Sequence, residues 1–157
     1  FNEINKSQFE AAGLHVLAES KHAGVHLAVS QDQFRIVFFQ GHPEYDINSL
    51  LKEYKREVNR FIAGARKDYP PFPDNYFSLQ VQAIFNEYRD SLLAAKSTGD
   101  ALPDFPEQTV ASLLHNTWHD TAEAVLNNWI GKVYQITNAD RKLPFMEGVD
   151  PNNPLGL

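Results

Sequence analysis

Between residues 34 and 62 the hydrophobic pattern of this chain changes period, and that change constrains the fold more than any other feature. Phe34 to Phe39 is nearly continuous in apolar residues, as in a buried strand. From Ile47 onward the spacing becomes helical: Leu50, Tyr54, Val58 and Ile62, with Leu51 and Phe61 beside them, form one stripe. Lys52, Glu53, Lys55, Arg56, Glu57 and Arg60 fall mostly on the other faces. The intervening stretch Gly41-His42-Pro43-Glu44-Tyr45-Asp46 is therefore a strand-to-helix turn, the place where α/β proteins keep their chemistry. Pro43 fixes its own φ and holds His42 extended, which projects His42 and Glu44 to the same side. A carboxylate beside an imidazole orients the ring and stabilises its protonated form, the base-and-orienter half of a nucleophilic triad. The plain alternative is a histidine that only makes a structural hydrogen bond.

Upstream, Leu14 to Leu17 is short and apolar, and Val25, Leu27 and Val29 alternate with His26, Ala28 and Ser30. With Ser30 to Gln33 as a polar turn, the pattern predicts a β-meander whose last strand delivers the motif. His15, His22 and His26 match no motif and are expected on the surface or on a sheet face, with the alternation of His26 against Val25 and Val29 favouring solvent. Phe1 to Gly13 carries no sharp signal beyond a helix or loop.

Downstream, Asp46 is the expected N-cap of the first helix. Tyr69-Pro70-Pro71-Phe72-Pro73 breaks that helix into an extended connector. A second stripe, Val81, Ile84, Phe85, Tyr88, Leu92 and Leu93, ends before Ser97. Asp104 and Glu107 read as a capping box that starts a third helix. Its stripe runs from Leu114 through Trp118, Ala122, Val125, Leu126, Trp129 and Ile130 to Val133, with both tryptophans expected to be heavily buried. The tail from Asp140 is expected to be draped on the surface or disordered.

Composition narrows the function. A chain of 157 residues, 43% hydrophobic, is expected to be enough for one core and not clearly for two, and a net charge of -6 argues against a nucleic-acid role. No apolar run reaches membrane-span length and no signal-peptide pattern opens the chain, so a cytoplasmic origin with no membrane partner is expected. With no cysteine, thiolate metal sites and disulfides are excluded, and a triad's thiol nucleophile would lie outside the chain. His115 and His119 have the spacing of two helical metal ligands but lack the glutamate of the zinc-protease pattern, and no metal site is assigned. Walker and G-x-S-x-G motifs are absent.

His42-Pro43-Glu44 resembles the corresponding tripeptide of class I glutamine amidotransferase-like folds, in which a distant Cys is the nucleophile. The longer string Gly41 to Asp46, followed by Leu50, Glu53, Tyr54 and Arg56, resembles the homoserine O-succinyltransferases more specifically. Asn75-Tyr76-Phe77, Trp118, Asn128, Trp129 and Val133 to Thr137 also match that family, whereas roughly residues 78–112 look like an insertion relative to its shorter members. Phe1-Asn2-Glu3-Ile4 resembles the middle of the family's sequence.

The resemblance implies the C-terminal part of one acyltransferase domain: an α/β, flavodoxin-like sheet with flanking helices. Residues 1–46 would supply strands, 47–139 a helical region and 140–157 an irregular tail. It implies His42 and Glu44 as catalytic and Arg56 as the residue that grips the homoserine carboxylate, with acyl-CoA, succinyl or acetyl, as a substrate and no cofactor. Expected partners are L-homoserine, acyl-CoA, the N-terminal part of the same protein and a second copy in a homodimer. A sheet without its first strands would leave a raw edge, so the isolated chain is expected to be unstable, partnered or proteolytically derived, and without the Cys nucleophile it is expected to be inactive. The alternatives are a glutamine amidotransferase domain and a non-catalytic domain of the same fold.

Overall fold

The computed structural model of the chain describes residues 3–140 and 142–156; Phe1 and Asn2, which open the N-terminal resemblance, and Arg141 and Leu157 of the tail lie outside the described residues. The chain forms two units, residues 1–44 with 118–157, and residues 45–117.

The first unit is built on a meander of β1 (His15–Ser20), β2 (Gly24–Val29) and β3 (Val37–Phe39), paired antiparallel in chain order. Helix α1 (Lys6–Ala11) precedes it, started by a capping box in which the Asn5 side chain accepts the Gln8 N–H and Gln8 bonds back to the Asn5 N–H. The β1–β2 ladder is irregular twice. Val16 opposes Ala28 and Ala18 opposes Leu27, leaving Leu17 extra, and Glu19 then opposes Val25, leaving His26 extra. A one-residue bulge sends the following side chains to the opposite face. Val25 and Ala28 consequently share one face, where they pack on Phe9, Leu14 and Val16. Leu17, Leu27, Val29, Val37 and Phe39 line the other, facing Val125, Leu126 and Trp129 of α5 (His119–Ile136) across a cavity of about 470 Å³.

The second unit is helical. On α2 (Ser49–Ile62) Leu51, Tyr54 and Val58 are buried, and on α3 (Leu79–Thr98) Val81, Phe85, Tyr88 and Leu92, as the two stripes predict except that Leu50 is only half-buried and Leu93 is exposed. Their cluster also takes in Phe77, Val110 and Leu114. Tyr54 lies at its centre, with ring centroids 5.6 Å from Phe72, 5.4 Å from Phe77 and 5.0 Å from Phe85. Phe72 comes from the proline-rich connector, so that segment is held by aromatic packing. Burial drives the Tyr54 phenol pKa far above its ordinary range, which keeps the hydroxyl neutral. Lys96 on α3 closes the other end of α2, donating to the Phe61 and Ile62 carbonyls at 3.1 and 3.4 Å with its ammonium 4.6 Å from the Phe61 ring centre.

The α/β architecture, a small sheet flanked by helices, is as expected, but several local expectations are overturned. The final strand is neither long nor buried: only Val37 to Phe39 pairs, and Ile36, Phe38 and Phe39 are exposed. Asp32 makes the difference, because its carboxylate accepts the Ser30 hydroxyl and the Phe34 and Arg35 amides and so extends the turn into the apolar run. Asp104 and Glu107 form no capping box. Pro106 holds the N-cap position of a short α4 (Glu107–Ala111), and Glu107 pairs with Lys55 instead. The third helical stripe is interrupted at residues 112–118, where Ser112, His115, Asn116 and Thr117 are all poor helix formers. Leu114 therefore joins the helical cluster and only α5 continues the stripe.

Trp118, just before α5, and Trp129 on it are half-buried, against the heavy burial expected, and Ile136 is the one buried residue of that helix. The tail is tied down: the Met146 amide donates to the Ile136 carbonyl at 2.8 Å, the Phe145 ring lies 5.8 Å from Phe34, and Pro154 is buried.

Phe85 is fully buried and touches Tyr54, Phe77 and Phe105, whereas Leu79 on the same helix is 85% exposed. Phe85→Ala should cost about 3–5 kcal/mol in denaturant unfolding. Leu79→Ala should stay within about 0.5 kcal/mol.

Candidate functional site

The motif emerges from the end of β3. Gln40, the first residue past that strand, is held by its backbone amide to the His26 carbonyl at 2.9 Å. Its side chain adds two bonds, donating from Nε2 to the Val25 carbonyl at 2.9 Å and accepting the Ile4 amide on Oε1 at 2.8 Å. Gly41 follows with the His26 imidazole directly beneath it: a Cβ at this position would lie 3.0 Å from His26 Nδ1. Only a residue without a side chain passes that ring without displacing it. The His26 ring is itself set edge-on against Phe39, with centroids 5.7 Å apart.

His42 and Glu44 are brought together as the spacing predicts, by a different backbone route. Pro43 and Glu44 lie in a turn, not in an extended segment, and the turn folds the carboxylate back toward the ring. His42 Nδ1 lies 2.7 Å from Glu44 Oε1, and both side chains are more than half exposed. An ionised carboxylate can only accept, so Nδ1 carries the hydrogen of this bond. In the neutral ring the basic lone pair is then on Nε2. Donation from His42, reinforced by Glu44's own backbone amide, holds the Glu44 pKa below the ordinary glutamate value.

The rest of the motif starts the helix. Tyr45 donates its hydroxyl to Glu53 at 2.7 Å. Asp46 is not the N-cap; Asn48 occupies that position, and the Asp46 carboxylate accepts the Asn48 amide at 2.8 Å and the Ser49 hydroxyl at 3.0 Å. Tyr76 donates to the Ile47 carbonyl and Phe77 is buried, so both aromatic residues are packed into the helical unit.

Arg56 lies on α2, in the helical unit, with a largely exposed side chain whose Nε is 3.6 Å from Glu57 Oε1. Glu57 also pairs with Arg60 at 3.3 Å and Arg66 at 3.0 Å. One carboxylate among three guanidinium groups, two on α2 and Arg66 just beyond it, leaves an excess of positive charge around Glu57.

The histidine pair at 115 and 119 does not share a helix, because α5 begins only at His119. His119 Nε2 lies instead 3.2 Å from Glu123. Among the described residues, no group of three or more His, Cys, Asp or Glu is arranged to hold a metal, and no helix is long and apolar enough to cross a membrane. Gln40 and the His26 support under Gly41 carry no sequence signal: Gln40 is 36 and 15 residues from its two side-chain partners.

Comparison with known proteins places residues 1–139 on the family model for homoserine O-succinyltransferase. A homoserine O-succinyltransferase of Allochromatium vinosum is 66% identical over the whole chain, and one of Nitrosococcus oceani is 63% identical over the same span. A more distant relative of that name, from Cardiobacterium hominis, is 42% identical over 99% of the chain. The chain spans 44% of the length of the first two relatives.

Because the Glu44 pKa is depressed, the contact with His42 is fully present above the ordinary glutamate range and is lost as pH falls through the lowered value. A carbon-detected NMR titration should place the Glu44 carboxyl midpoint below that of glutamate in an unfolded peptide. His42→Ala should move that midpoint upward, and an unchanged midpoint would mean that the bond does not form in solution.

Proposed function

This chain belongs to the homoserine O-succinyltransferase family, and from that premise we propose that it is the C-terminal part of a cytoplasmic, homodimeric enzyme of methionine biosynthesis that transfers a succinyl group from succinyl-CoA to L-homoserine. The 2.7 Å contact between His42 Nδ1 and Glu44 Oε1 carries this reading, since it leaves Nε2 as the base of a triad. The thiol would come from the part of the protein outside this chain, which contains no cysteine. His42 takes the thiol proton as sulfur attacks the thioester carbonyl; the bond to the CoA sulfur breaks, and CoA leaves as its thiol with that proton. The homoserine hydroxyl then attacks the enzyme thioester and gives its proton to His42. The new ester forms as the cysteine sulfur departs and is reprotonated. Glu44 holds the ring in one tautomer and stabilises the imidazolium through both halves.

Arg56 is the proposed clamp for the homoserine carboxylate. A guanidinium suits the task because its planar fork meets both carboxylate oxygens at once. The excess positive charge around Glu57 supports this assignment.

In the complete protein, His42→Ala should abolish turnover, and Glu44→Gln should lower kcat by up to about 10⁴-fold. Full activity in His42→Ala would remove the histidine from catalysis, and glutamine hydrolysis without acyl transfer would favour an amidotransferase.

Arg56→Ala should raise KM for homoserine and lower kcat while acylation of the cysteine by succinyl-CoA survives, because acylation needs no homoserine. Arg56→Lys should not restore the clamp. A decorative Arg56 would instead leave kinetics unchanged and alter stability by less than about 0.5 kcal/mol.

A further inference from the structure

We propose that Gln40 is a positioning residue for His42, fixing the imidazole through the end of β3; the inference rests on the catalytic reading of His42. The motivation is a mismatch between what the motif needs and what its strand supplies. β3 pairs over three residues and its Phe38 and Phe39 are exposed, so the ladder that delivers the motif is short and open to water. The ends of such strands fray. A base must nevertheless be held to a fraction of an ångström, because a misplacement of about 1 Å costs about 100-fold in rate.

Gln40 answers that need at the last position before the motif. Beyond its backbone bond to His26, its side chain bridges two segments that are not neighbours in sequence, the Val25 carbonyl of β2 and the Ile4 amide. The two partners specify an amide. Val25 offers only an acceptor and Ile4 only a donor, so the residue between them must supply one of each. Glutamate would put a carboxylate against the Val25 carbonyl, and methionine would make neither bond. Gly41 alone separates this anchor from His42, and the His26 ring beneath Gly41 restricts where that single residue can go. Three hydrogen bonds and one steric floor thus replace the ladder where it stops.

The test uses Gln40→Met and Gln40→Glu in the complete enzyme, with His42→Ala alongside. The cysteine is acylated in rapid-mix experiments with succinyl-CoA, where burst amplitude counts folded sites and burst rate reads the base. A positioning role predicts a burst rate and a kcat lowered about 10- to 100-fold, with full amplitude and KM for both substrates within about twofold. A purely structural role would lower the amplitude and leave the rate per site unchanged. Wild-type burst rates in both variants would overturn the proposal, and so would loss of all burst sites in both, which would make Gln40 a folding residue. Undiminished turnover in His42→Ala would instead sink the catalytic reading itself, whatever the Gln40 variants do.

Discussion

The antiparallel ladder between β2 and β3 is the interaction on which the functional end of this chain depends. Its three residue pairs are the last regular structure before His42. The ladder holds because β2 is buried from both sides: Val25 and Ala28 face α1, and Val29 faces α5. The two bulges make this possible. Without them a single alternation would put Val25, Leu27 and Val29 on one face and leave the α1 side with little to bury. The irregularity that looks like a defect in pairing therefore distributes apolar side chains to two layers, and the strand between them becomes a fixed base for the motif.

The helical unit depends on a different device. Its core is aromatic, with Tyr54 ringed by Phe72, Phe77 and Phe85. Large rings bury much area with few torsions to freeze, and this lets an extended proline-rich segment act as part of the core. The start of α2 is secured in the same unit by polar contacts: Tyr45 to Glu53, Asp46 to Asn48 and Ser49, and Tyr76 to the Ile47 carbonyl. Motif residues after Glu44 thus stabilise the helix that carries Arg56. Their place in a longer shared string has this structural explanation and needs no chemistry from them.

The parts of the fold legible in the sequence were those set by local periodicity. The stripes of α2 and α3 were read nearly residue for residue, because a helix repeats the same short-range geometry and its buried face follows from spacing alone. The meander was legible for the same reason, and so was the approach of His42 to Glu44, two residues apart. Where the structure departs from that pattern, a single turn-forming or ring-constrained residue intervenes. Asp32 converted the start of an apolar run into a turn, and Pro106 displaced a capping box that Asp104 and Glu107 otherwise spell. The half-exposure of Trp118 and Trp129 could not be read either, since tryptophan content reports apolar area and says nothing of which neighbours arrive to cover it.

By itself the sequence determined the secondary-structure alphabet, the pairing of an imidazole with a carboxylate and the family to which these residues belong. All three are written in contacts within a few residues or in strings that can be matched directly. Only the tertiary structure decided which face of β2 each apolar residue covers, that the tail returns to Ile136 and Phe34, and that Gln40 ties the end of β3 to Val25 and Ile4. The contacts of the tail and of Gln40 join residues 10 to 111 apart in the chain. Their energy depends on geometry that the whole chain must first assemble, so no local pattern records them.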